Sequence, residues 1–203
     1  MNIEVVPNLH LQKEPEASPF VLRAIERLSE INAEGILDEE LKRYQQILQK
    51  TGNFKVGIIV ADDMVPSAVT REQIELQRLM DSDPDVKRGC LSLLWWTSNE
   101  VTPENVRASF AEQLFKFAKT FDGKLVRTLS ELVNLEAQTL RFSKITTDKK
   151  RQMWFSDFAK YMLTADRATM ISCFYGDEAA RKVGHRPLGF PKNAGRIYAG
   201  WMA

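Results

Sequence analysis

FKVGIIVA, residues 54–61, is the stretch on which the fold turns. It is short, apolar and β-branched, and it is the one convincing strand in the sequence. A single strand makes no sheet unless another segment pairs with it. The candidate partner is IEVV (3–6), inside an extended arm over residues 1–17, where Pro7 and Pro15 exclude a helix interior. Such an arm pairs within its own chain or with a neighbouring copy. The other strongly apolar run, CLSLLWW (90–96), is apolar on nearly every side, and Val86 to Trp96 reads as a buried helix.

Outward from these two runs the sequence is helical. Ser18-Pro19 opens a helix as N-cap and first helical residue, with Leu22, Ile25, Leu28 and Ile31 along one side and Gly35 as its stop. Asp38 caps a second helix that carries Leu41, Tyr44, Ile47 and Leu48. Thr70-x-x-Gln73 is a capping box for a helix to Met80. Thr102-Pro103-Glu104 opens a helix over 103–121 whose Val106, Phe110, Leu114, Phe117, Ala118 and Phe121 share one third of the wheel. A helix over 125–142 places Leu129, Leu132, Val133 and Leu140 inward, and one over 148–164 does so with Trp154, Phe158, Tyr161 and Met162. Asp166 and Asp177 open two short helices. Residues 185–203 hold three glycines and two prolines and read as irregular. The expectation is an all-α, two-lobed domain of about nine helices with an extended N-terminal arm and an irregular basic C-terminal tail. Its parts are the arm (1–17), an acidic helical lobe (18–100), a basic helical lobe (101–184) and the tail (185–203).

The lobe boundary coincides with a reversal of charge. Residues 1–106 carry 11 Lys+Arg against 18 Asp+Glu, whereas residues 107–203 carry 17 against 9. The chain total of +1 conceals that dipole. After Glu178 there is no acidic residue. An acidic half joined to a basic half implies a polyanionic partner for the latter and head-to-tail contact between copies.

The composition narrows the classes further. Hydrophobic content of 44% is ample for a core. Cys90 and Cys173 each lie in an apolar run and read as free thiols of a reducing compartment. With only His10 and His185 beside them, no zinc spacing exists. The opening residues lack the apolar core of a secretory signal. VGIIVA and CLSLLWW fall short of the roughly 20 residues of a membrane span. The expected setting is cytoplasmic, meaning host cytoplasm and virion for a viral chain, with no membrane partner.

Cations at helical faces and in the tail form the candidate site. Arg127 and Arg141 share a helix face with Asn134 and Gln138, a combination suited to phosphate and sugar contacts. Lys144 and the run Lys149, Lys150, Arg151 follow, and the tail contributes Arg181, Lys182, Arg186, Lys192 and Arg196. Such a series neutralises phosphates without reading base sequence. Tyr198, Trp201 and Phe190 are candidate stacking rings for unpaired bases. Trp95, Trp96 and Phe115 are candidate self-association contacts, the two indoles pointing apart on a helix. Asp62-Asp63, after a strand, resembles the carboxylate pairs that hold magnesium, but no further placed acids support it. His185 lacks a nucleophile beside it, and the tail glycines fit no nucleotide fingerprint.

The resulting expectation is a non-enzymatic, self-assembling protein of nucleocapsid or coat type. It packages single-stranded RNA (or DNA) through the phosphate backbone, forms homo-oligomers head to tail, and needs no cofactor or metal. The alternative is an α-helical adaptor or regulatory protein whose basic half binds an acidic protein.

Overall fold

A three-stranded parallel sheet stands where the sequence offered one strand. The computed structural model describes residues 4–5, 18–44, 55–64, 69–81, 90–120, 125–145 and 150–203. The sheet has the order β1 (Glu4–Val5), β2 (Lys55–Ala61), β3 (Cys90–Trp96). Val5 lies beside Val56, and Lys55 to Ala61 run in register with Cys90 to Trp96. CLSLLWW is therefore a strand and not the expected helix. Leu91, Leu93, Trp95 and Trp96 are buried and Cys90, Ser92 and Leu94 half-buried, so the strand alternates in burial while six of its seven residues are apolar, and the sequence does not show the alternation. The periodicity of seven such residues does not separate the two states.

The rest is mostly helical, as expected. Nine helices lie among the described residues: α1 (Pro19–Glu30), α2 (Ala33–Arg43), α3 (Arg71–Met80), α4 (Pro103–Thr120), α5 (Leu129–Phe142), α6 (Phe155–Ala159), α7 (Arg167–Phe174), α8 (Asp177–Lys182) and α9 (Ala194–Met202). They belong to two compact units that interleave along the chain: Met1–Ser67 with Asp83–Asp122, and Ala68–Ser82 with Gly123–Ala203. The division differs from the expected lobes 18–100 and 101–184. Helix α4 belongs with the sheet, and α3 belongs with the C-terminal helices.

The first unit holds the sheet with α1, α2 and α4. Ser18 accepts the amide of Phe20 and caps α1, with Pro19 in its first turn. The break after α1 falls at Asn32, whose φ of 53° is left-handed, and not at Gly35, which lies inside the first turn of α2. Val56, Leu91, Leu93, Trp95, Phe110 and Leu114 form the core against Leu28, Leu37 and Leu41. Among the described residues β3 is one edge of the sheet, and Gln113 of α4 guards it. The Leu94 amide donates to Gln113 Oε1 at 2.7 Å, and Gln113 Nε2 donates to the Leu94 carbonyl at 2.8 Å. One side-chain amide thus imitates a neighbouring strand and blunts the edge. Arg107 of α4 forks to Glu39 and Glu40 of α2, each at 2.9 Å, and Glu40 is 1% exposed.

The second unit packs α5 and α9 side by side with α3, α6, α7 and α8 around them. Thr70 with Gln73, and Thr128 with Glu131, complete capping boxes at α3 and α5. Leu129, Leu132, Val133 and Leu140 are buried as their spacing demands. Phe155, Phe158, Phe190 and Tyr198 meet edge to face or stacked in an aromatic core.

The tail departs from the irregular segment expected. Residues 194–202 form α9, and Ala194, Ala199 and Gly200 are buried. The glycines that argued against a helix permit close packing of one: a Cβ on Gly195 would lie 2.1 Å from the Phe174 ring. Before α9 the chain is held by Asp177, the first residue of α8. Its carboxylate accepts the backbone amides of Leu188 (2.9 Å), Gly189 (3.0 Å) and Phe190 (3.2 Å). The Asp177 amide in turn donates to the Phe190 carbonyl at 3.0 Å. Gly176, at φ 94°, lets this turn meet the Pro191 carbonyl, which a Cβ would approach to 2.2 Å.

Among the described residues no helix is long and apolar enough to cross a membrane.

Candidate nucleic-acid interface

The charge reversal follows the two units. The sheet unit carries 12 Lys+Arg against 17 Asp+Glu, a net of −5. The helical unit carries 16 against 10, a net of +6. Arg107, Lys116 and Lys119 of α4, counted by position with the basic half, belong to the acidic unit.

The cations of the helical unit divide by what they touch. Arg196 donates to Glu136 at 2.8 Å, and Glu136 is 2% exposed. That pair joins α9 to α5, and Arg196 is a structural cation and not a phosphate contact. Arg141 donates to the carbonyls of Met202 (2.9 Å) and Ala203 (3.1 Å). It satisfies the last carbonyls of α9 and complements the negative end of its dipole, while its side chain stays exposed. Lys182 pairs with Glu178 at 3.1 Å, four residues back on exposed α8. Hydrogen bonding and the charge of Lys182, with Lys192 nearby, hold the Glu178 carboxyl below its ordinary range. Arg181 reaches Asp177 only at 4.0 Å.

Arg127, Lys144, Arg151, Arg186 and Lys192 are exposed and form no ion pair among the described residues. Lys150 is exposed beside Arg151. Lys149 lies outside the described residues. The described cations nearest it do not begin a helix: α6 starts at Phe155, so the expected helix from 148 is a single short one over 155–159.

Four of the expected contacts are core residues. Tyr198 is 9% exposed, stacked on Phe158 with centroids 4.7 Å apart and the planes at 24°, so it offers no face to a base. Trp95 (1% exposed) and Trp96 (3% exposed) sit on a strand, where consecutive side chains point to opposite faces, and both faces are covered. Phe115 is buried too, with Lys119 Nζ 5.3 Å from its ring centre. None of the three is a surface for a second copy. The helical reading of 86–96 set the two indoles apart, and Phe115, outside the stripe formed by Val106, Phe110, Leu114 and Phe117, is buried all the same.

Asp62 and Asp63 do stand where parallel sheets place ligand sites, at the carboxyl end of β2. Thr97 and Ser98, past the end of β3, donate to them: Thr97 Oγ1 to Asp62 at 2.9 Å and the Ser98 amide to Asp63 at 2.9 Å. The pair ties two strand ends together. No group of three or more His, Cys, Asp or Glu with metal-binding geometry occurs among the described residues. His185 donates its backbone amide to Ala180 at 2.7 Å and closes α8. Burial pushes the Cys173 thiol up to about 12, so it is a core side chain and no nucleophile. Tyr175 is likewise pushed well above its ordinary range, first by burial and then by Glu75, Glu136 and Glu72.

The sequence understated one residue. Trp201 is 37% exposed at the end of α9, beside Arg141. Comparison with protein family models, curated proteins and solved structures finds no match.

Proposed function

We propose that the chain is a non-enzymatic, self-assembling protein of nucleocapsid or coat type that grips the phosphate backbone of single-stranded nucleic acid without reading its sequence. The observation that carries this reading is the concentration of unpaired, exposed cations on one compact unit. Arg127, Lys144, Arg151, Arg186 and Lys192 form no ion pair among the described residues, Lys192 acting on Glu178 only through its nearby charge, and the unit has a net charge of +6. Cations held in water and not in ion pairs are the ones that release counterions when they meet phosphate. The opposite charge of the sheet unit supports head-to-tail association between copies. With Trp95, Trp96 and Phe115 in the core, that association rests on charge and on exposed side chains such as Phe20 and Leu22 of α1.

Reversal of uncommitted cations tests the reading. Lys144→Glu with Arg151→Glu and Lys192→Glu should weaken retention of RNA by at least about tenfold with helix content unchanged by circular dichroism. Retention equal to wild type refutes it. Binding of an acidic protein partner with indifference to RNA would favour the adaptor.

A further inference from the structure

Three segments of the helical unit converge on one corner. Arg141, at the end of α5, donates to the carbonyls of Met202 and Ala203, at the end of α9. Trp201 lies 5.2 Å from the Phe155 ring, at the start of α6. The Phe155 amide donates to the Gln152 carbonyl at 3.1 Å, and Gln152 Nε2 reaches the Lys150 carbonyl at 3.4 Å. Lys144 follows Arg141 by three residues and turns the chain away at φ 55°. Arg141 thus fixes the end of α9, Lys144 lies three residues beyond it, and the exposed Lys150, Arg151 and Met153 lie on the segment that leads into Phe155, the neighbour of an indole that is 37% exposed.

The indole is held. Tyr198 meets it at 5.6 Å and 62°, and Phe155 meets it at 5.2 Å and 54°. These two contacts restrain the ring, and more than a third of the residue stays open to solvent. A ring fixed in advance loses little conformational freedom when a second ring stacks on it. Lys144, three residues past Arg141, and Lys150 and Arg151, five and four residues before Phe155, are the cations available to the phosphates that flank a stacked base. Phosphate contacts alone do not separate single strands from duplexes, whereas stacking requires an unpaired base.

We infer that Trp201 is a stacking platform for an unpaired base, with Lys144, Lys150 and Arg151 on the flanking phosphates and Arg141 fixing the end of the helix that carries the ring, so that this corner selects single-stranded nucleic acid over duplex. The inference rests on the reading of the basic unit given above and adds the residue that separates a single strand from a duplex. Trp201 takes the place that the sequence divided among three rings, because Tyr198 and Phe190 are core.

The test measures fluorescence anisotropy of labelled oligo(U) of about 16 nucleotides and of duplex RNA of equal length, with wild type, Trp201→Leu and Trp201→Phe. Leucine keeps apolar packing against Phe155 without a π-face, and phenylalanine keeps the face. Trp201→Leu should lose about 5- to 150-fold in affinity for oligo(U) and less than about twofold for duplex, with Trp201→Phe near wild type. Equal oligo(U) affinity for Trp201→Leu and wild type overturns the inference and leaves the polyanion reading standing. Wild type that binds neither RNA overturns both. Exposed Trp and Met beside cations also suit an anionic bilayer. Binding to phosphatidylserine vesicles in place of oligo(U) would refute the inference in favour of that partner.

Discussion

Asp177→Ala removes the acceptor of three consecutive backbone amides, and its cost follows from their surroundings. The Leu188 and Phe190 amides are part-buried at the carboxylate, while that of Gly189 is exposed and finds water. A hydrogen bond to a charged group contributes about 1.5–3 kcal/mol, and an unsatisfied buried amide costs a similar amount. With one amide rescued by water and the Asp177 side chain 19% exposed, the net loss is about 2–4 kcal/mol. In a unit of about 100 residues each kcal/mol moves the melting temperature by roughly 4–8 °C, so the transition should fall by roughly 8–32 °C. Asp177→Asn, which keeps one neutral acceptor, should fall about half as far. Differential scanning calorimetry measures the shift, and limited proteolysis between Arg186 and Lys192 locates it. A melting temperature within about 2 °C of wild type, or a cleavage rate at the tail unchanged, would refute the reasoning that Asp177 clasps the tail.

Three other perturbations probe the packing. Gly195→Ala gains helix propensity but drives a Cβ into the Phe174 ring, so chemical denaturation should show a net loss of about 1–3 kcal/mol; a stabilised variant would mean that the ring moves freely. Gln113→Leu strands the Leu94 amide and carbonyl at the sheet edge, with an expected loss of about 1–3 kcal/mol and greater aggregation by light scattering. The Cys173 thiol, raised to about 12, stays protonated at all pH values below that; at pH 8 Ellman's reagent should label it only as fast as the unit unfolds, and rapid labelling in the native state would contradict its burial.

Much of the helical architecture was legible because its signals are local. Ser18-Pro19 and the Thr70–Gln73 box announce helix starts by side chains that bond two or three residues away. The spacing of Val106, Phe110 and Leu114 gives the buried face of α4 directly. Strand β3 escaped because six of its seven residues are apolar, too many for the sequence to show a period, although its burial alternates in the folded chain. Helix α9 escaped because its glycines serve contact with Phe174, a partner 21 positions away in the chain. The same distinction governs the site. The sign of the charge on the helical unit was visible in the composition. Which cations are spent was not, because Arg141 and Arg196 find their acceptors about 60 residues away in sequence.

The interleaving of the units has a comparable origin. Helix α3 lies between β2 and β3 in sequence, yet it packs with α7 in the helical unit. No local composition change marks residues 68–82 as belonging with the C-terminal part. The long-range contacts that place them, such as the Val126 amide on the Leu79 carbonyl at 2.9 Å and Arg167 on Asp81 at 2.6 Å, appear only in the folded chain.

The salt dependence of oligo(U) binding tests the central claim most directly. If the uncommitted cations of the helical unit hold phosphates, log Kobs falls linearly with log salt concentration, with a slope of about −0.7 for each phosphate neutralised. Five such cations place the slope near about −3.5, and Lys144→Glu should make it shallower by about 0.7. A slope near zero, or no binding of oligo(U) at low salt, would contradict the account.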